Sequence, residues 1–171
     1  MKTLDKLPNI IKLIILVRIL IPFIIFVHPL IAFVFSQVAD AFDGQMYFNA
    51  KVRWHVYNRI DKTLDYWWYI FIIIYFNIHF PSLFILAVGL LIYRTIGQFY
   101  SMYFNKEKVF IFFPNILEWF FVLLILFPNI NTFIALGASV LIGIYFEWVI
   151  HFSSMHWISK YVFKKEIIWR R

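Results

Sequence analysis

The sequence contains no cysteine, so disulfides, zinc ribbons and thiol chemistry are excluded. Charged residues are also scarce: they make up 15% of the 171 residues, while 63% are hydrophobic. A soluble globular domain is usually about a quarter charged and about half apolar. The mean hydropathy of +0.80 and the long apolar blocks predict instead a single transmembrane domain over residues 1–171, with a short amphipathic segment at 1–9 and a basic tail at 153–171.

The apolar blocks are long enough for several membrane crossings, since a bilayer core of about 30 Å needs about 20 helical residues. We predict an all-α integral membrane protein with six transmembrane helices, at Ile10–Val27, Leu30–Tyr47, Tyr57–Ile78, Ser82–Phe104, Val109–Phe127 and Ile130–Phe152. Prolines disfavour helix in the preceding residue, and they mark the turns at His28-Pro29, Asn77–Pro81 and Pro128-Asn129. The polar stretch Gln45–Lys62 predicts that the second and third helices protrude from the membrane.

Three of the predicted loops contain no lysine or arginine. Basic residues are instead concentrated before the first helix, between helices two and three, between helices four and five, and in the tail. Because cytoplasmic loops carry the Lys/Arg excess, we predict a multi-pass protein of the cell inner (plasma) membrane with both termini and region 48–62 in the cytoplasm. The basic tail then indicates contact with membrane lipids of anionic headgroup, and no nucleic acid is expected as a partner.

Four aspartates lie at the predicted cytoplasmic ends of the second and third helices. Asp40 and Asp43 are spaced i,i+3, and Asp61 and Asp65 are spaced i,i+4, so each pair shares one helix face. An aspartate at mid-membrane costs roughly 2.5–3.5 kcal/mol. Bound Mg²⁺ or Mn²⁺ would offset that cost. The alternative is that the aspartates are solvated or paired, and the spacing alone leaves both interpretations open; the nearby cations are Lys51, Arg53, Arg59 and Lys62.

The residues around the aspartates resemble a family signature. The chain reads Asp40-Ala-Phe-Asp43-Gly44, then sixteen residues, then Asp61-Lys-Thr-Leu-Asp65. This resembles the D-x2-D-G-x2-A-R-x8-G-x3-D-x3-D signature of the CDP-alcohol phosphatidyltransferases, with all four aspartates and the first glycine in register. Further matches are Leu7-Pro8-Asn9-Ile10, Arg18-Ile-Leu-Ile-Pro22 and, in the fourth predicted helix, Arg94.

The resemblance implies a phosphotransfer that depends on two metal ions, Mg²⁺ or Mn²⁺. The family moves a phosphate-linked alcohol from a CDP-alcohol donor to an acceptor alcohol or lipid and releases CMP. By this resemblance Asp40, Asp43 and Asp61 are metal ligands, and Asp65 is the general base that also lies near the second metal. Gly44 would lie against the nucleotide. The family also implies a homodimer and a cytoplasmic active site.

The chain departs from the signature in its nucleotide-binding half. Tyr47-Phe48 replaces the family's Ala-Arg, and Tyr57 replaces its second glycine. Two tyrosines would fill space that small residues leave open for the cytidine. We expect Lys51 to lie one turn beyond Tyr47 on the same helix face and to replace part of the lost positive charge as a substrate-binding residue.

Other ionisable residues lie within the predicted membrane helices. Arg94 is a candidate contact for a substrate phosphate, since intramembrane ionisable residues mark functional sites; it is also placed to pair with Glu118. Glu147 and His151 are spaced i,i+4 in the sixth helix. We expect them to form an interhelical hydrogen bond or to anchor the helix at the interface, and the alternative is a metal or substrate role.

We therefore expect a metal-dependent phosphotransferase of phospholipid synthesis. One alternative is a pseudoenzyme of the same fold, in which Tyr47 and Tyr57 block the nucleotide pocket. Another is a phosphotransferase or prenyltransferase with a non-CDP donor, although intramembrane prenyltransferases have more crossings. A small transporter or channel is a more remote alternative, because the aspartates have no counterparts at mid-membrane.

Overall fold

The structure is a computed structural model that describes residues 7–104 and 107–151. Within these ranges the chain contains helices and no strands, as the sequence predicts. The six α-helices are α1 (Asn9–Leu20), α2 (Pro29–Asn49), α3 (Trp54–His79), α4 (Phe84–Phe104), α5 (Ile116–Leu126) and α6 (Thr132–His151). The predictions for residues 1–6 and for the tail at 153–171 lie outside the described residues.

Each α-helix corresponds to one predicted segment, and the predicted proline turns separate them. Pro29 is the first residue of α2, and Pro81 opens a 3₁₀ turn before α4. Three segments of the described chain are long and apolar enough to cross a membrane, namely Asn9–Phe26, Pro81–Phe104 and Thr132–Val149. The polar stretch Gln45–Lys62 is helical except at its central turn.

The first apolar segment contains a break in its helical geometry. The α1 helix ends at Leu20, and the chain continues as a 3₁₀ helix over Ile21–Phe26. Pro22 lies at the start of this change and has no backbone N–H to continue the α-helical pattern. The Trp67 indole nitrogen donates a hydrogen bond of 3.0 Å to the carbonyl of Ile19, beside the break.

The fifth segment differs from the prediction of one continuous helix over Val109–Phe127. It forms a 3₁₀ helix over Glu107–Ile111, a non-helical stretch, and then α5, which has only 11 residues. Pro114 lies in the non-helical stretch, where it disfavours helix at Phe113. Residues 109–127 therefore do not form a single transmembrane helix.

The chain divides into two compact units, and the division falls between Trp68 and Tyr69. In the described part of the first unit, the start of α1 packs on the end of α2. Leu7, Ile11 and Tyr47 form a buried hydrophobic cluster there, which brings the N-terminal turn of α1 against the last turns of α2.

The second unit is built around aromatic side chains. Phe76 of α3 stacks on Phe120 of α5, with ring centroids 5.8 Å apart, and both rings are fully buried. Gly97 of α4 lies directly against Phe113, so that a Cβ added to Gly97 would overlap the Cβ of Phe113. The glycine thus permits the non-helical stretch before α5 to approach α4.

Candidate functional site

The first unit brings all four predicted aspartates around one guanidinium group, that of Arg18. Its Nη1 donates hydrogen bonds to Asp43, at short range, and to Asp61 at 2.9 Å. Its Nη2 lies 2.9 Å from a carboxylate oxygen of Asp65 and 2.9 Å from one of Asp40. The aspartate pair of α2 and the aspartate pair of α3 therefore meet at one point in the structure.

A second cation, Lys62, also contacts this cluster. Its ammonium group lies 2.8 Å from an oxygen of Asp61 and 3.4 Å from one of Asp65. The interpretation that nearby basic residues pair with the aspartates is thus correct for Lys62. Four carboxylates and two cations give these six side chains a formal charge of −2. We call them the aspartate cluster: Arg18, Asp40, Asp43, Asp61, Lys62 and Asp65.

The four carboxylates differ in accessibility. Asp43 and Asp61 are buried, with side chains 1% and 8% exposed, whereas those of Asp65 and Asp40 are 16% and 48% exposed. Buried charges need paired or hydrogen-bonded partners, and Arg18, which is itself buried, supplies them. Asp43 and Asp61 therefore anchor the cluster, while Asp40 and Asp65 are the members that an approaching molecule can reach.

Helix geometry explains how the carboxylates meet. The i,i+3 and i,i+4 spacings place Asp40 with Asp43 on one face of α2 and Asp61 with Asp65 on one face of α3. Oxygens of Asp40, Asp61 and Asp65 lie within 4.8 Å of one another. These three carboxylates offer oxygen ligands for one divalent cation, and Arg18 contacts an oxygen of each of them.

Sequence reasoning did not identify Arg18 as a member of the site. A signal was available, because Arg18 interrupts an otherwise apolar segment, and an intramembrane arginine needs an acidic partner. The four aspartates are the main concentration of acidic residues in the sequence. The opposite charges of Arg18 and the four aspartates therefore predict that they contact one another.

Gly44, the predicted nucleotide-contacting glycine, lies against Tyr57. A Cβ added to Gly44 would be 3.2 Å from the Tyr57 hydroxyl oxygen. That hydroxyl donates a hydrogen bond of 3.2 Å to Asp43. The Tyr57 ring also packs against Tyr47, with centroids 5.0 Å apart, and Trp54, at 5.5 Å. The residue that replaces the family's second glycine thus fills the space beside the first.

The predicted position of Lys51 on the α2 face is wrong. The α2 helix ends at Asn49, and Lys51 adopts a positive φ of 57° in the following turn. The Lys51 N–H donates to the carbonyl of Phe48, and the Val52 N–H donates to that of Tyr47. These two bonds form a Schellman motif that ends the helix, so Lys51 does not continue the face that carries Tyr47.

Arg94 lies in the second unit, where it has an acidic partner. Its Nη1 is 2.7 Å from a carboxylate oxygen of Glu147 and donates a 2.6 Å hydrogen bond to the carbonyl of Phe113. The guanidinium also lies 4.3 Å above the ring of Phe110. Glu147 thus makes the interhelical contact predicted for α6, but with Arg94 rather than through an imidazole. The His151 side chain lies outside the described residues.

Glu118, which the sequence places to pair with Arg94, accepts a local hydrogen bond in the structure. Its carboxylate accepts a 2.6 Å bond from the side chain of Asn115, which also donates to the hydroxyl of Tyr69 at 3.1 Å. These bonds hold the start of α5 against α3 within the second unit.

Comparisons with known protein families, with curated proteins and with solved structures found no match to this chain. The resemblance to the CDP-alcohol phosphatidyltransferases therefore depends on the signature residues, and the candidate site depends on the geometry of the aspartate cluster.

Proposed function

We propose that the protein is a divalent-cation-dependent phosphotransferase of phospholipid synthesis, which moves a phosphate-linked alcohol from a CDP-alcohol donor to an acceptor alcohol and releases CMP. One observation carries the proposal. The four aspartates that fall in register with the family signature, Asp40, Asp43, Asp61 and Asp65, meet at one guanidinium in the folded chain.

The charge of the aspartate cluster fits a divalent cation. Its formal −2 remains after Arg18 and Lys62 are counted, and one Mg²⁺ or Mn²⁺ would neutralise it. The diphosphate of a CDP-alcohol would add two negative charges when it binds. A second divalent ion would neutralise them. When bound, such ions would stabilise the charge that develops on the leaving phosphate.

The accessibility of the carboxylates supports a division of roles. Asp43 and Asp61 are buried and hold the ligand set in place. Asp65 is partly exposed, and it is the candidate base that would take the proton of the acceptor hydroxyl. Arg18 and Lys62 are chemically suited to phosphate oxygens, and they already lie among the carboxylates that the donor would approach.

A second candidate function is favoured by the position of Tyr57. This side chain fills the space beside Gly44 and hydrogen-bonds Asp43, where the resemblance places the nucleotide. A protein with that space closed would be a pseudoenzyme of the same fold, or would use a non-CDP donor.

Metal binding and CMP release test the proposal in the purified full-length chain. Mn²⁺ affinity should fall at least tenfold in Asp43→Asn and in Asp61→Asn, because a carboxylate ligand or its anchor is lost. Glu147→Gln, a buried acidic residue of the second unit, is the matched control and should leave the titration unchanged. Equal titrations in wild type, Asp43→Asn and Asp61→Asn would contradict the metal site.

Asp65→Asn should abolish CMP release while donor binding remains, since a general base contributes about 10²–10⁴-fold in rate. The triple variant Tyr57→Gly, Tyr47→Ala, Phe48→Arg restores the family pattern and should strengthen CDP binding. If wild type neither binds CDP nor releases CMP and the triple variant does both, the pseudoenzyme is the correct interpretation.

A further inference from the structure

Three exposed cations lie where α2 meets α3, Lys51 and Arg53 in the turn between the helices and Arg59 in the second turn of α3, and we call these three residues the basic turn. No acidic residue occurs between Gly44 and Asp61. Among the described residues, none of the three cations forms an ion pair. Cations in this part of the chain are therefore of two kinds: Lys62 neutralises buried carboxylates, and the basic turn faces outward with its charge uncompensated.

Lys51 occupies a backbone position that usually favours glycine. Its φ of 57° is in the left-handed region, which is costly for a residue with a Cβ. The Schellman hydrogen bonds fix this conformation, and Val52 packs on the buried cluster of Leu7, Ile11 and Tyr47. A lysine at this position is not explained by the stability of the turn, which glycine would serve better.

The exposed surface of α2 changes character along the helix. Its first half presents an apolar stripe at i, i+3, i+4 and i+7, formed by Ile31, Val34, Phe35 and Val38, each about half exposed. The basic turn follows about 20 Å further along the axis at 1.5 Å per residue. Trp54, of a residue type enriched at membrane–water interfaces, follows Arg53 directly as the first residue of α3. An apolar stripe that ends in cations matches the order of acyl chain and headgroup in a bilayer leaflet.

We infer that the basic turn is a binding site for the headgroup phosphates of anionic phospholipids, whose acyl chains cover the apolar stripe of α2. The exposed cations are complementary in charge to those headgroups, and each Lys or Arg near an anionic surface contributes about fivefold to binding. This inference does not depend on the proposed catalysis, because it involves none of the aspartates and no metal.

The test uses the full-length chain purified in detergent. Phosphatidylglycerol, or phosphatidylcholine as the zwitterionic control, is added, and bound lipids and the thermal unfolding midpoint are measured. The variant Lys51→Gln, Arg53→Gln, Arg59→Gln should lose on the order of 100-fold in phosphatidylglycerol affinity. The charge-retaining variant Lys51→Arg, Arg53→Lys, Arg59→Lys should bind like wild type. The basic tail is identical in all variants, so its contribution cancels.

Lys51→Gly provides a second measurement in which stability and lipid binding change in opposite directions. The midpoint in phosphatidylcholine should rise, because glycine relieves the left-handed strain, while the increase caused by phosphatidylglycerol should shrink. Unchanged phosphatidylglycerol affinity in the triple glutamine variant would overturn the inference. So would displacement of phosphatidylglycerol from these residues by a short RNA oligonucleotide, which would indicate a nucleic-acid surface.

Discussion

Arg18 and Arg94 are both buried arginines within long apolar segments, but their charges are compensated in different ways. Arg94 forms a formally neutral pair with Glu147 and donates to a backbone carbonyl. Arg18 is shared by four carboxylates, which remain in excess even with Lys62. The Arg94–Glu147 pair is electrically neutral, whereas the four carboxylates around Arg18 exceed the positive charge of Arg18 and Lys62 by two, and a bound cation would offset that excess. The two arginines therefore differ in the net charge of the side chains that contact them.

Removal of Arg18 should have the largest effect. Arg18→Met leaves four carboxylates with Lys62 as their cation, and loss of one partner of a buried ion pair costs about 3–5 kcal/mol. Because the surplus negative charge increases, Mn²⁺ should restore part of the lost stability. Thermal unfolding with and without Mn²⁺ measures both effects. Arg94→Met should also be destabilised but gain nothing from Mn²⁺, and an equal response of both variants would remove the distinction between the two sites.

A double-mutant cycle tests whether Arg94 and Glu147 stabilise the chain as a pair. Arg94→Met and Glu147→Leu should each cost about 3–5 kcal/mol, and the double variant should recover most of that loss because neither charge of the pair remains. Arg18→Met with Asp43→Leu should recover little, since three carboxylates remain. Additive losses in the Arg94–Glu147 cycle would show that this pair does not act as a unit.

The close contact between Gly97 of α4 and Phe113 gives a smaller expected effect on stability. Gly97→Ala should destabilise the chain by about 1–3 kcal/mol, because the new Cβ overlaps Phe113 and forces a shift. Gly89, in the same helix, has nothing within 4 Å of an added Cβ. Gly89→Ala is the matched control and should be stabilising by about 0.5–1 kcal/mol. Equal midpoints for the two variants would contradict the close contact between α4 and Phe113.

The smallest predicted change concerns the hydroxyl of Tyr57. Tyr57→Phe keeps the ring contacts with Tyr47 and Trp54 and removes the hydrogen bond to Asp43, which should cost about 1 kcal/mol. Denaturation of the purified variant measures this loss. A variant as stable as wild type would show that the hydroxyl does not support the cluster, and that Arg18 alone anchors Asp43.

The helices were predictable from the sequence because hydropathy and proline act locally. Six apolar blocks gave six α-helices, and the turns at Pro29 and Pro81 lie where the sequence predicts them. The predicted continuous helices were wrong at Pro22 and Pro114, where the prediction followed hydropathy and did not apply the proline rule. Both prolines lie inside apolar segments, where composition indicates a crossing but the missing N–H interrupts the α-helix.

The site was predictable in part for the same reason. The aspartate spacings are local and identify the two helix faces that meet. The partner of those faces, Arg18, is 22 residues from Asp40 and 47 from Asp65, so its contact depends on helix packing. The pair of Arg94 with Glu147 is likewise long-range, and the bond of Glu118 to Asn115 is local. The position of Lys51 was predicted wrongly because α2 ends in a left-handed residue that is not glycine, so the sequence does not mark where the helix ends.

The non-helical stretch before α5 has a consequence for how the second unit adapts to bilayer thickness. The 11 residues of α5 extend about 16 Å at 1.5 Å per residue, roughly half of a hydrocarbon core of about 30 Å. The carbonyls of Phe112 and Phe113 accept hydrogen bonds from Tyr93 and Arg94 of α4, which satisfies backbone groups that lipid cannot. Two hydrogen bonds therefore tie the stretch before α5 to α4, and we expect the longer helices α4 and α6 to absorb hydrophobic mismatch by tilting.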